Sequence, residues 1–166
     1  MSNDIRIKKG LDIKLKGEAE KSLEKAVLST FYTLRPEDFH SVIPKLISKV
    51  GSIVKAGEPV FYDKSNENVK FVSPVAGEII EIARGQKRKI LSIKLKASKE
   101  QTYQEHGKFN LDDAKPAEVK AHLLASGCWP FVKQRPYDVI ANPENAIIIP
   151  LRLNGKGIQL YAGVRK

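Results

Sequence analysis

The chain has 166 residues, 42% of them apolar and 29% charged, a formal net charge of +10 and a single cysteine. Such a length suits one domain of ordinary size or two small ones with a real core, and the balance of apolar and charged residues excludes a disordered chain. Cys128 alone excludes an internal disulfide, no apolar run reaches the roughly 18 to 20 residues of a spanning helix, and Met1 to Gly17 lacks the apolar centre of a signal peptide. The chain is therefore expected in the cytosol or on the cytosolic face of a membrane.

Ile5 and Ile7 alternate with Asp4, Arg6 and Lys8, and Leu11, Ile13 and Leu15 alternate with Asp12, Lys14 and Lys16. A period of two predicts an N-terminal hairpin turning near Gly10. Glu18 to Glu24 has the composition of one helical turn, whereas Val27 to Leu34 is richer in β-branched and aromatic residues and predicts a strand.

From Val42 onward two segments share one layout. KVGSIVKAGEPVF (Lys49 to Phe61) and VAGEIIEIARGQKRKIL (Val75 to Leu91) each carry a glycine, a short apolar strand, a second glycine and another strand. Gly51, Gly57, Gly77 and Gly85 are read as turn glycines at positive φ. Beyond them Leu91, Ile93 and Leu95 are expected to face one way, and Ser92, Lys94 and Lys96 the other. Two such units facing each other predict a small flattened β-sandwich.

Between the units lies FYDKSNENVK, whose Asp63-Lys64 pair stands where a swinging-arm carrier domain holds its modified lysine. Four turn-forming residues, Ser65 to Asn68, follow it and move the expected hairpin tip to Asn66. Lys64 is then at the end of the incoming strand and is read as an ordinary solvated lysine, not a lipoyl or biotinyl site.

The polar, aperiodic stretch Ser98 to Asn110 reads as a linker. Pro116 in a first turn, Val119 and Leu123 four apart, and Gly127 at the close predict a helix, with Asp112 and Asp113 upstream where negative charge suits its start. His122 reads as a boundary residue and Cys128 as a small buried one. The histidines, His40, His106 and His122, have no metal-ligand spacing.

CWPFVKQRPY, Cys128 to Tyr137, interleaves Trp129, Phe131 and Tyr137 with Lys133 and Arg135. Rings with nearby donors suit a quinone headgroup, which stacks through its ring and accepts at its carbonyls, and Trp129, Phe131, Arg135 and Tyr137 are the candidates. Packing of the helix onto the sandwich is the favoured use of the same rings. Binding of nucleic acid is disfavoured, because neither an RNP-type motif nor a helix-turn-helix pattern is present. Ile147 to Leu153, Asn154-Gly155 and Ile158 to Tyr161 then predict a closing hairpin.

The positive charge is regional. Arg84 to Lys99 holds seven basic residues and Asn145 to Lys166 four more, neither with an acid. Arg84, Lys87, Arg88 and Lys89 are therefore candidates for a docking patch facing an acidic partner or anionic headgroups. No G-x-G-x-x-G, P-loop, paired cysteine set or triad spacing occurs, so no catalytic or metal-ligating residue is assigned.

VGSIVKAGEPVF with FVSPVAGEIIEIARG resembles the barrel-sandwich hybrid shared by lipoyl and biotinyl domains. RIKKGLDIKLKG, the LRP at Leu34 to Pro36, ARGQKRKILSIKL and LLASGCWPFVKQRPY, in this order, resemble the N-terminal part of the A-type subunit of the sodium-translocating NADH:quinone oxidoreductase, over residues 5 to 146. The resemblance implies a mainly β (α+β) fold. It comprises N-terminal strands and a connector (1–40), a barrel-sandwich hybrid of two quasi-repeated hairpin units (41–97), a linker and helix opening a following domain (98–146) and an atypical hairpin tail (147–166). The tail departs from the family's continuation, so a shortened or altered form is expected.

The resemblance also implies a function. It is that of a peripheral component on the cytoplasmic side of the bacterial inner membrane, in a complex that oxidises NADH, reduces ubiquinone and exports sodium. Other subunits are the implied partners and NADH and ubiquinone the cofactors of the complex. No flavin, iron–sulfur centre or covalently bound cofactor is expected in this chain. The alternative is a stand-alone, unlipoylated carrier-like adaptor that binds an acidic partner or nucleic acid.

Overall fold

The computed structural model describes residues 16–17, 20–23, 27, 29–108, 110, 114–134, 137–152 and 158–164, those after 146 by backbone alone. The N-terminal hairpin, Asp112, Asp113, Arg135, Pro136 and the Asn154-Gly155 turn lie outside the described residues. Within 20–23 there is no helical turn, and Leu23 is fully exposed. With no apolar face to bury, one turn of helix cannot offset its nucleation cost.

Strands β1 (Phe31–Leu34), β2 (Pro44–Leu46), β3 (Ile53–Val54), β4 (Pro59–Asp63), β5 (Asn66–Val72), β6 (Gly77–Arg84) and β7 (Ile90–Ala97) divide between two antiparallel sheets. One has the order β1-β7-β6-β3 and the other β2-β4-β5. Inward residues of both, including Val60, Phe61, Phe71, Ile79, Ile93 and Leu95, form the core, with Phe61 and Phe71 stacked at 4.4 Å between ring centroids. The first hairpin unit sends β3 to one sheet and β4 to the other, and that division ties the sheets together. The expected strand from Val27 begins only at Phe31, because Val27 is exposed and pairing with β7 starts at Phe31 opposite Lys96.

Gly51 and Gly57 adopt φ of 85° and 87°, as turn glycines should. Gly77 and Gly85 do not. Gly77 lies inside β6, where a Cβ would come within 2.1 Å of the Lys96 carbonyl oxygen, so close approach of β7 requires the glycine there. At the second turn Gly85 has φ −98°, and Lys87 (53°) and Arg88 (61°) take the left-handed positions instead.

A β-bulge between Ala83 and Arg84 corrects the expected facing of β7. Ala83 pairs with Ser92 but Arg84 with Ile90, so Ile90 turns inward and Leu91 outward while Ile93 and Leu95 stay buried. The extra residue shifts the phase of the alternation.

Lys64 is also placed differently from expectation. Asp63 pairs with Asn66, and Lys64-Ser65 is the turn, so Lys64 stands at the hairpin tip. The supernumerary residues are absorbed further along, where the register passes from Asp63–Asn66 to Tyr62–Lys70 and the Asn68 N–H donates to the Asn66 side-chain oxygen. The Asp63 carboxylate fixes the turn by accepting the N–H groups of Ser65 and Ile43, each at 3.1 Å.

The stretch after β7 is held to the sandwich. Gln101 accepts from the Ala76 N–H at 2.8 Å and donates to the Ala76 and Ser98 carbonyls, and Ala56 exchanges backbone hydrogen bonds with Thr102 and Gln104. Helix α1 (Pro116–Ala125) follows, with Pro116 in its first turn and Glu118 accepting from the Lys115 N–H. It ends in a Schellman motif, in which the Cys128 N–H reaches the Leu123 carbonyl and the Gly127 N–H reaches that of Leu124. A 3-10 turn, Trp129–Phe131, two short paired strands, β8 (Lys133–Gln134) and β9 (Val139–Ile140), and a hairpin of β10 (Ala146–Arg152) with β11 (Ile158–Val164) complete the described chain. Cys128 is exposed, contrary to expectation. The left-handed Gly127 reverses the chain there, so Trp129 and Pro130 enter the core in its place.

Candidate functional site

The basic candidates stand beside a cleft of about 460 Å³ between β2 and the β6–β7 loop. Arg84, Lys87, Arg88 and Lys89 line it together with Lys45 of β2, above apolar contacts from Ile43, Pro44, Leu46 and Ile90. The loop closes on itself through a hydrogen bond from the Gly85 N–H to the Lys89 carbonyl at 2.8 Å, and an Arg84 guanidinium nitrogen donates to the Arg88 carbonyl at 3.3 Å. Lys89 makes an ion pair with Glu37 at 2.7 Å, which holds the Glu37 carboxyl below its ordinary range. The Lys45 ammonium lies 5.4 Å from the Tyr62 ring centroid, and Tyr62 raises its pKa. Sequence reasoning missed Lys45, which lies far from the basic run and joins it only because β2 and the β6–β7 turn meet.

The aromatic candidates separate. Trp129 is fully buried and its indole N–H donates to the Ala141 carbonyl at 2.8 Å, so both its faces and its donor are committed to packing. Phe131 is exposed and lines an apolar pocket of about 180 Å³ with Leu34, Phe39, Phe61, Phe71 and Pro130. Phe39, a residue not singled out in the sequence, meets Phe71 edge-on at 4.6 Å and Phe131 at 6.2 Å, with the Lys133 ammonium 5.5 Å from its ring. Tyr137 is exposed and is not among the pocket's lining residues, and Arg135 lies outside the described residues.

Lys64 is exposed, but its backbone N–H is tied to the Ile43 carbonyl at 2.8 Å. Its neighbours Asp63, Ser65 and Asn66 line a small pocket with Asn142, Pro143 and Glu144, so the hairpin end lies beside the segment that follows β9. His122 is half-buried with its ring 6.5 Å from that of His106. Among the described residues no group of three or more His, Cys, Asp or Glu could hold a metal ion, and no helix is long and apolar enough to cross a membrane.

Two sheets sharing the strands of one hairpin unit, glycine turns between them and a hairpin tip at their edge define the class: a barrel-sandwich hybrid domain with a helical extension. A family model described as the NqrA N-terminal barrel-sandwich hybrid domain matches residues 5–98, and one described as the NqrA second alpha/beta domain matches residues 114–150. The chain belongs to the NqrA family. Among curated proteins it is similar to the A-type subunit of the Na(+)-translocating NADH-quinone reductase of Pseudomonas aeruginosa (strain UCBPP-PA14), 32% identical over 144 residues that cover 86% of this chain and 32% of the relative. The same-named proteins of Marinomonas sp. (strain MWYL1), 30% identical over 87% of this chain and 34% of theirs, and Neisseria meningitidis serogroup A, 33% identical over 82% and 31%, are similar to it as well. The chain thus spans about a third of the length of the curated relatives it matches.

Proposed function

We propose that the chain serves as a docking module of the NqrA type in a sodium-translocating NADH-quinone reductase, on the cytoplasmic side of the bacterial inner membrane. The observation that carries this is the succession of two NqrA domains in one chain, residues 5–98 and then 114–150. Other subunits of the complex are its partners. NADH and ubiquinone are handled by the assembly, and flavin and iron–sulfur chemistry lies in other chains. The divisions 1–40, 41–97, 98–146 and 147–166 follow from the same reading. In it the hybrid domain is the scaffold and the helix opens the next domain.

Within this role the apolar pocket at Phe131 is where a quinone ring would lie, between Phe39 and Phe131, and Arg135 and Tyr137 stay polar candidates by their place in the sequence alone. Trp129 leaves the set of contact residues, because its N–H is already bonded and its rings are covered. Lys64 carries no lipoyl or biotinyl group in this reading. Its tip position resembles a carrier lysine, yet the tether to Ile43 and the neighbouring Asn142–Glu144 segment limit the access a ligase needs.

The test is affinity purification of the tagged chain from membranes of cells that express the complex. Membrane-embedded subunits should co-purify. Recovery of the chain alone overturns the proposal, and intact mass on the same sample settles Lys64, since a lipoyl or biotinyl adduct would favour the adaptor reading.

A further inference from the structure

The positive charge of the 84–99 run is not uniform once the strands pair. On β7, Lys94 and Lys96 stand opposite Glu81 and Glu78 of β6. At the loop, Arg84, Lys87 and Arg88 have no carboxylate within ion-pair distance among the described residues, while Lys45 across the cleft is engaged by Tyr62 with the Glu67 charge nearby. Lys87 and Arg88 hold left-handed backbone, which residues other than glycine keep only where the surrounding structure dictates it. Their charges are therefore presented by a closed loop and not by a free segment. Beneath them Ile43, half exposed at 57%, and Leu46 and Ile90 make an apolar floor.

We infer that this cleft docks an extended acidic segment of a protein partner, with carboxylates on Lys45, Arg84, Lys87 and Arg88 and one apolar side chain on the floor. A bare phosphate has no use for the floor. A bilayer surface would meet the charges but offers no side chain placed for the floor, whereas a peptide bearing alternate acidic and apolar side chains meets both parts. That the partner is another component of the complex rests on the proposed function, but the binding itself is a property of this chain alone. Failure of peptide binding would leave membership of the complex standing, and failure of co-purification would leave the cleft standing.

The experiment is fluorescence anisotropy of the full chain with a fluorescein-labelled peptide EDLEDE at about 0.15 M salt, where charges outside the cleft are screened, and with EDSEDE as its companion. The double variant Lys87→Glu/Arg88→Glu should weaken EDLEDE binding by at least about tenfold, as should Lys45→Glu combined with Arg84→Glu. Lys99→Glu, which makes the same kind of charge change outside the cleft, should alter it by less than about twofold. Ile43→Ser should weaken EDLEDE but not EDSEDE, a difference that non-specific charge attraction cannot produce. All the substituted residues are exposed, and an unchanged Tm in each variant checks the fold. Equal loss in Lys99→Glu, indifference to Ile43→Ser, or stronger binding of phosphatidylglycerol vesicles, pyrophosphate or a single-stranded oligonucleotide than of peptide overturns the inference.

Discussion

Gly127 meets two demands at once. Its φ of 70° ends helix α1, and a Cβ there would lie 2.2 Å from Val72 Cγ1, so the same glycine lets the helix dock on the sandwich. Gly127→Ala should cost about 2–4 kcal/mol in urea unfolding, from backbone strain together with overpacking. Val72→Ala in the same chain should recover the packing part only. Trp129→Phe leaves the Ala141 carbonyl without its donor and should cost about 1–3 kcal/mol, while the exposed Phe131→Ala should stay within roughly 0.5 kcal/mol. Lys89, through its hydrogen bond and its charge, lowers the pKa of Glu37. A carboxyl whose folded pKa is depressed contributes stability above its unfolded value and loses it as the pH falls through the folded one. Lys89→Ala should therefore raise the Glu37 pKa in an NMR titration, with little change in overall stability because the pair is exposed.

At the scale of elements, the bulge in the β6–β7 pair decides which side chains of β7 are core. Ile90 is buried and Leu91 is not, so Ile90→Ala should cost about 2–5 kcal/mol. Leu91→Ala should cost about 1 kcal/mol or less by the same denaturation measurement. A reversed order would mean that the strand alternates without a bulge, as its sequence suggests. The β4–β5 hairpin shows the same physics. Its turn stays two residues long because the Asp63 carboxylate fixes it, and the surplus residues enter β5 instead of lengthening the tip.

For the molecule as a whole, Val119, Trp129, Ala141 and Ala146 belong to the same apolar cluster as the sandwich residues Phe61, Phe71 and Ile93. The helical segment and the hybrid domain should then unfold together. Trp129 is the sole tryptophan and its fluorescence reports on the former, and the backbone amide NMR signals of β6 and β7 report on the latter. The two denaturation curves should coincide. Separate midpoints would show that the helical segment comes off first.

Strand and helix positions were legible in the sequence because they are set locally. A period of two in Leu91 to Lys96, glycines at 51 and 57 where the chain needs positive φ, and the Pro116 to Gly127 frame each act over a few residues. The order of its motifs likewise carried the family. The tertiary structure decided which distant residues meet: Lys45 with the loop from Arg84 to Lys89, Phe39 with Phe71 and Phe131, and Gly77 with the Lys96 carbonyl. It also turned Leu91 outward, exposed Cys128 and put Lys64 at a tip. Each of these depends on strand register and on the close approach of elements far apart in the chain, which no local pattern specifies.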